Sequence, residues 1–405
     1  MKKLAKKLVA AVLGYQVRKL YKKNDFKVVA VVGSIGKTST KLAIADTLRT
    51  KFKVQNQIGN YNDIVTVPLI FFGEDIPSLF NPFAWLKLFW RNSKKLKRPY
   101  NYDVVVLELG TDGIGQIAEF KKYLKVEIAV ITAITPEHME FFKSLDDVAR
   151  EELAVSEYST LLLINSDLCE QKYYKKLSNV LTYSLDKGTD FYPGSDVIKN
   201  FKLTDRTHAE QYSLLAAAAV GSQIGLQTSE ITAGLKTVEP FSGRMQRLKG
   251  VNGSTIIDDT YNASPEAMRL ALSSLYQMES PQKIAVLGNM NELGDSSAEE
   301  HRKIGEFCDP KQLSLVLTLG PDANEYLAPA AEAKGCKVIT FEDPHTIGEY
   351  LRPILKPKAI VLAKGSQNKV FAEEALKYIL ADPKDESKLV RQSEEWQKIK
   401  EKNFS

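Results

Sequence analysis

Val29-Ala30-Val31-Val32-Gly33-Ser34-Ile35-Gly36-Lys37-Thr38-Ser39-Thr40 is the stretch from which the rest of the chain is read. A short β-branched run, Lys27–Val32, ends on a glycine, and a helical pattern from Lys37 to Thr50 follows it. Glycines let backbone N–H groups curl round phosphate oxygens, and the N-terminus of the next helix adds partial positive charge. In that arrangement Lys37 reaches the outer phosphates and the Thr38 hydroxyl meets Mg²⁺. The strict pattern G-x-x-x-x-G-K-[ST] is not met, because Val31 stands where its first glycine belongs, and the shorter G-x-x-G-K-T remains. A glycine-lysine pair alone can be a plain strand-to-helix turn. With a strand before it, a helix after it and Thr38 in place, the stretch reads as an ATP site formed by Gly33, Ser34, Gly36, Lys37, Thr38 and Ser39.

Outward from this loop, apolar runs alternate with helical segments. Val104–Leu109, Ile128–Ala133, Leu161–Ile164, Thr255–Ile257, Ile284–Leu287, Leu315–Leu319, Lys337–Thr340 and Ala359–Leu362 are buried-strand candidates. Continuous apolar strands separated by helices predict an α/β fold with parallel sheets covered on both faces. Ala209–Ile224 is an alanine-rich helix, and Glu239–Gly243, with Pro240 and Gly243, reads as a hinge between two α/β domains. At 405 residues the chain exceeds one ordinary core, in keeping with that division. The expected segments are a basic amphipathic helix over 1–24, an ATP-binding domain over 25–240, a second α/β domain over 241–381 and a charged tail over 382–405. The tail is expected to be an exposed helix or disordered, without chemistry.

A composition of 44% hydrophobic and 26% charged residues is that of a soluble globular protein. A net charge of +5 over this length is mild and argues against a nucleic-acid binder, which would concentrate its cations on one face. Cys169, Cys308 and Cys336 are far apart and odd in number, which argues against a disulfide framework or zinc site and suits a reducing, cytoplasmic compartment. Two segments bear on membranes. In residues 2–23, Leu4, Leu8, Ala11, Val12, Tyr15 and Lys19 recur at helical spacing among lysines, without a signal-peptide cleavage site. This helix either packs on its own domain or lies on a membrane surface. Residues 76–99 set Phe80, Phe83, Trp85, Leu86, Leu88, Phe89 and Trp90 beside Arg91, Lys94, Lys95, Lys97 and Arg98. That pattern suits peripheral membrane contact and a lid or core segment equally.

Two other strand ends carry groups fit for metal work. Glu108 closes one apolar strand, and His138 stands just past another, in Thr135-Pro136-Glu137-His138. In open α/β sheets ligands sit outside the carboxyl ends of strands, so both are candidates to converge with Thr38 on Mg²⁺ and phosphate. Beyond the hinge come Gly243-Arg244, Asp258-Asp259-Thr260-Tyr261-Asn262-Ala263-Ser264-Pro265, Leu287–Gly294 with His301, and Lys364-Gly365-Ser366. An arginine at a hinge is suited to clamp a transferring phosphoryl group when domains close, while Asp258–Asp259 can equally be a helix N-cap.

Taken in order and spacing, Gly33–Thr38, Asn60-Tyr61-Asn62, Glu108, His138, Asn165-Ser166-Asp167, Gly243-Arg244, Asp258–Pro265, Leu287–Gly294 and Lys364-Gly365-Ser366 resemble the Mur ligases. Within them they are most similar to the branch that joins D-alanyl-D-alanine to a peptidoglycan-precursor tripeptide. The resemblance implies a central ATPase domain and a Rossmann-like C-terminal domain. It implies an ADP-forming ligase that activates a carboxylate as an acyl phosphate and couples it to an amine, on small-molecule peptide and amino-acid substrates. By the same resemblance Lys37 and Thr38 hold ATP and Mg²⁺ with Glu108 as a further ligand, and His138 serves a second Mg²⁺. Arg244 contacts the γ-phosphate, Asp259 and Asn262 help hold the nucleotide, and Asn60, Lys364 and Ser366 face the substrates.

Three features depart from the family pattern. Only a short segment precedes the Lys27 strand, where these ligases usually carry a domain for the uridine nucleotide of the substrate. Where many members use a carbamylated lysine near the metals, Glu152 stands, a carboxylate that either replaces it or is a surface helix charge. The family's H-N-x-x-N element near adenine reads His208-Ala209-Glu210-Gln211-Tyr212. The same chemistry on another cell-envelope, lipid-linked or polyglutamate substrate is the second enzymatic reading, and a non-catalytic ATP-binding scaffold is the third.

Overall fold

The computed structural model describes residues 2–56, 61–78, 81–111, 113–136, 139–204, 206–239 and 241–404, with backbone alone for 2–5. The chain divides into two compact units. The first comprises Met1–Thr135, Phe141–Arg206 and Gln211–Glu239, and the second comprises Pro136–Glu140, Thr207–Glu210 and Pro240–Ser405.

The first unit is built on six parallel strands: β1 (Lys27–Val32), β2 (Val54–Gln55), β3 (Val104–Glu108), β4 (Val126–Ile131), β5 (Ser159–Asn165) and β6 (Val180–Tyr183). Their order is β2-β3-β1-β4-β5-β6, so β1 lies between β3 and β4, with Val31 opposite Glu108 and Val32 opposite Ile131. Every residue of β3 is buried, and so is all of β1 after Lys27, which is why these strands read as unbroken apolar runs. The helices of this unit that matter below are α1 (Lys2–Tyr21), α2 (Lys37–Leu48), α3 (Pro82–Lys95), α4 (Leu145–Leu153) and, from Gln211 onward, α5 (His208–Ile224). Ile44 and Leu48 of α2 and Leu215 and Ala219 of α5 share one core cluster with Val29, Val31 and Val106 of the sheet. Full burial of a leucine or isoleucine of this kind contributes roughly 2 kcal/mol.

α1 packs on its own unit. Leu13, Val17 and Leu20 are buried, and Leu13 clusters with Trp85 and Leu88 of α3 and with Val65 and Leu69. Gln16 donates from Nε2 to the Phe89 carbonyl (2.9 Å) and accepts from Asn92 Nδ2 (3.0 Å), so a buried amide pair fixes the register of the two helices.

The second unit holds β7 (Gln246–Lys249), β8 (Thr255–Asp259), β9 (Lys283–Gly288), β10 (Leu315–Leu319), β11 (Val338–Phe341) and β12 (Ile360–Lys364), ordered β11-β10-β9-β12-β8-β7. All pairs are parallel except β7 with β8. Helices α6 (Pro265–Gln277) and α7 (Ser297–Phe307) cover one face, and α8 (Pro344–Ile354) the other. Pro265 at the first position of α6 suits a helix start, where no N–H is needed.

Of the two expectations for the residues after Asp382, the structure shows the exposed helix, anchored by a few buried residues. A 3₁₀ segment, Pro383–Lys388, leads to α9 (Glu394–Phe404), and Leu389, Val390, Arg391 and Lys400 are buried. Lys400 Nζ lies 2.9 Å from Glu373 Oε1, and the Arg391 guanidinium meets the same carboxylate. Arg391 and Lys400 are buried by this pairing within the second unit, while most of the segment's other charges are exposed.

Candidate active site

In the first unit the loop between β1 and α2 is shaped by glycine. Gly33 has φ +121°, and a Cβ there would stand 2.4 Å from Thr132 Oγ1 and 2.8 Å from Ala133 N. Gly36, the N-cap of α2, has φ +78°. Both conformations disfavour side-chain-bearing residues, so the G-x-x-G spacing is a backbone requirement. Ser34 turns inward. Its N–H donates to the Ala133 carbonyl (3.0 Å), its hydroxyl donates to the Thr135 carbonyl (2.9 Å), and the same hydroxyl accepts from Thr135 N. The reading of Ser34 as a nucleotide-facing group is thereby revised, since its polar groups staple the loop to the end of β4.

Thr38 Oγ1 donates to Glu108 Oε2 at 3.0 Å, joining the first turn of α2 to the end of β3. Lys41, one turn further on and buried, sets its Nζ 3.2 Å from the same oxygen. Lys37 folds its ammonium back over the loop, donating to the carbonyls of Gly33 (2.5 Å) and Ser34 (3.3 Å). A hydroxyl and a carboxylate are hard oxygen donors of the kind Mg²⁺ prefers, and such an ion typically completes its shell with water and substrate phosphates. Among the described residues no group of three or more His, Cys, Asp or Glu is arranged to hold a metal. A nucleotide-borne Mg²⁺ needs only one or two protein oxygens, so the Thr38–Glu108 pair fits it.

Glu151 and Glu152 are both buried on α4 and diverge. Glu152 Oε2 accepts the Gly33 N–H at 2.7 Å. Glu151 accepts from Thr111 Oγ1 (3.2 Å), Ile117 N (2.6 Å) and Gly115 N, and so orders the turn after β3. Glu152 is therefore no surface helix charge, and one of its oxygens holds the phosphate loop itself. Glu151 and Lys41 were not legible as site residues. Their only signal is a charge falling on the buried stripe of an otherwise readable helix.

The second unit assembles another polar centre. Lys364 Nζ donates to Asp259 Oδ2 at 2.6 Å and to the Asn262 carbonyl at 3.0 Å, while Asp259 Oδ1 accepts from Met245 N (3.1 Å). Burial pushes the Lys364 ammonium below the usual lysine range, against the opposing pull of Asp259. The neighbouring Asp258 is fully buried; one oxygen takes the Thr260 hydroxyl (2.6 Å) and N–H (3.0 Å), and Oδ2 has no partner. Its carboxyl is pushed up to about 6, chiefly by burial. The Arg244 guanidinium lies over the Tyr261 ring, 4.3 Å from its centroid. Ser366 accepts from Asn291 N (2.8 Å), tying the Lys364-Gly365-Ser366 turn to the loop after β9. His301, buried, accepts the Met290 N–H on Nε2 (3.0 Å), with Nδ1 2.8 Å from the Ser297 carbonyl. It is therefore a neutral structural histidine. Asn60 and His138 lie outside the described residues.

Comparison with known proteins agrees with this geometry. Residues 31–223 match the family model of the Mur ligase middle domain, and residues 243–367 match that of the Mur ligase, glutamate ligase domain. The chain is 28% identical over 313 residues to the UDP-N-acetylmuramoyl-tripeptide–D-alanyl-D-alanine ligase of Bacillus subtilis, covering 73% of this chain and 63% of that one. It is 28% identical over 370 residues to the ligase of the same name from Synechocystis, covering 88% of this chain and 75% of the other. Among solved structures it is similar in fold to the MurF ligase of Thermotoga maritima in complex with ADP. That match has a TM-score of 0.72 at 23% identity, over 93% of this chain and 84% of that one.

Proposed function

The chain belongs to the Mur ligase family, whose middle-domain and glutamate-ligase-domain models match residues 31–223 and 243–367, and we propose that it is an ATP-dependent, ADP-forming amide ligase. Its proposed substrates are D-alanyl-D-alanine, or a similar amine, and the carboxylate of a peptidoglycan-precursor peptide. The observation that carries the reading is the contact of Thr38 with Glu108 at 3.0 Å, at the carboxyl ends of adjacent strands and beside two glycines of positive φ.

A carboxylate is a poor electrophile until one of its oxygens becomes a phosphate leaving group. A carboxylate oxygen attacks the γ-phosphorus of ATP, the bond to the β,γ-bridging oxygen breaks, and ADP departs. The amine nitrogen then attacks the acyl carbon, loses a proton, and the C–O bond to phosphate breaks. The protein's part is positioning and charge neutralisation. Lys37 leaves the loop carbonyls for the outer phosphates, and the N–H groups at the start of α2 receive phosphate oxygens. Thr38 and Glu108 would hold Mg²⁺, with His138 assigned to a second ion, and the metal would supply further neutralisation of phosphate charge. Arg244 is assigned to the transferring phosphoryl group, Asp259 and Asn262 to the nucleotide, and Asn60, Lys364 and Ser366 to the substrates. Dependence on ATP puts the reaction in the cytoplasm.

The test is phosphate release from Mg-ATP with D-alanyl-D-alanine and the UDP-muramoyl tripeptide, adding and omitting each. Turnover that requires both, and that Lys37→Ala abolishes, supports the proposal. ATP binding without turnover under any of these additions would count against these substrates.

A further inference from the structure

The chain's positive charge is gathered in one place. Residues 1–24 and 76–102 carry 14 of its 55 Lys and Arg and none of its 50 Asp and Glu, which leaves 41 against 50, or −9, on the remainder. The helices within these two segments, α1 and α3, pack side by side through Leu13, Gln16, Trp85, Leu88 and Asn92. Their outer faces are apolar as well as basic. On α3, Phe83, Leu86 and Trp90 recur at i, i+3 and i+7 and are 80%, 63% and 57% exposed. On α1, Leu8 and Tyr15, also one helical face, are 67% and 50% exposed. Scattered exposed apolar residues need no explanation, but a stripe at helical spacing does. Lys94 Nζ sits 3.5 Å from the Trp90 ring centroid and Lys19 Nζ 4.6 Å from that of Tyr15, so cations are set at the level of the rings.

We propose that the outer face of α1 and α3 is a docking surface for an anionic lipid bilayer, with Phe83, Leu86 and Trp90 entering the interface and Lys87, Lys94 and Lys97 meeting headgroups. Charge complementarity selects this occupant. A bilayer offers an apolar depth and a plane of anions together, and stable peripheral binding takes both signals. Duplex nucleic acid would satisfy the lysines and leave Phe83, Leu86 and Leu8 without a partner. Among the described residues no helix is long and apolar enough to cross a membrane, so the contact is one of surface attachment. The proposal is independent of which substrates the ligase uses, because its readout is binding.

The experiment is co-sedimentation of the full chain with vesicles of phosphatidylcholine alone, or with about one-third phosphatidylglycerol, at low and high salt. Binding is expected with the anionic vesicles. A Phe83→Ser/Leu86→Ser/Trp90→Ser variant and a Lys87→Glu/Lys94→Glu/Lys97→Glu variant should each reduce the partition coefficient by roughly tenfold or more. Thermal unfolding and ATP binding should be unchanged, since all six side chains are exposed and lie outside the phosphate loop. Protein that stays in the supernatant with anionic vesicles overturns the proposal. So does binding that the apolar variant leaves intact, which would mean electrostatic adsorption, or lipid-free self-association lost in the same variants, which would mean a protein interface.

Discussion

Glu152 holds the first glycine of the phosphate loop, accepting the Gly33 N–H on Oε2 at 2.7 Å from the last turn of α4. The contact links the loop that would receive ATP to the position where many relatives are expected to carry a carbamylated lysine. Gln at this position keeps a carbonyl oxygen for Gly33, whereas Ala leaves the buried N–H unsatisfied, at a cost of about 1–3 kcal/mol. Glu152→Ala should therefore weaken ATP binding by roughly tenfold or more, and Glu152→Gln by far less. Calorimetric titration of nucleotide at several Mg²⁺ concentrations checks this. If Glu152→Gln raises the Mg²⁺ requirement as much as Glu152→Ala does, the carboxylate serves the metal rather than the loop.

Lys41 and Glu108 form a buried pair, 3.2 Å apart, beneath the Thr38 hydroxyl. Breaking such a pair from one side leaves an uncompensated charge and costs roughly 3–5 kcal/mol. Lys41→Met should lower the stability of the first unit by that order, and adding Glu108→Gln should restore part of it. Denaturant unfolding of the single and double variants measures the coupling; additive losses would show that the pair does not act as a unit.

The central strands and the loop could be read in the sequence because they obey strong local rules. β1, β3 and β4 are buried on both faces and appear as apolar runs, and Gly33 and Gly36 occupy backbone conformations that demand glycine. β2, β6 and β7 went unread. Each lies at a sheet edge and spans only two to four residues, so Val54-Gln55, Val180–Tyr183 and Gln246–Lys249 are too short to stand out as strands. Side-chain direction was hidden as well. Ser34 in the loop is as compatible with facing phosphate as with bonding Thr135, and only the fold of the β4 turn decides. The buried anchors of the tail went unread for a related reason. Its charges are paired over long separations, Arg391 with Glu373 and Lys400 with Glu373 and Glu374, and no local pattern records a partner.

Asp258 should make stability depend on pH. Burial raises its carboxyl to about 6, so the native state binds this proton more tightly than the unfolded chain does. The stabilisation is fully present below the ordinary carboxylate range and is lost as pH rises through about 6. Asp258→Asn removes the titration. Its melting temperature should vary less between acid and neutral pH than that of the parent, by an amount equivalent to roughly 1–3 kcal/mol. Parallel pH profiles for the two proteins would assign the dependence to other groups.

Arg391 reaches back to the loop that carries Asp259 and Asn262. Its Nε donates to Glu373 Oε1 (2.8 Å), and its terminal nitrogens donate to the carbonyls of Thr260 (2.6 Å) and Tyr261 (3.1 Å). The Tyr261 ring in turn lies beneath the Arg244 guanidinium. The planar fork of arginine satisfies the carboxylate and the two carbonyls at once, which a lysine ammonium cannot do. Arg391→Ala leaves Glu373 buried with Lys400 as its remaining cation and exposes two orphaned carbonyls, so it should destabilise the second unit by about 3–5 kcal/mol. Arg391→Lys keeps the charge and should recover only part of that loss. Because the damage falls on the Thr260–Tyr261 backbone, amide hydrogen exchange should rise across 259–262 in both variants while the phosphate loop of the first unit keeps its protection. Unchanged exchange at 259–262 in a folded Arg391→Lys protein would show that the tail packs against the unit without positioning this loop.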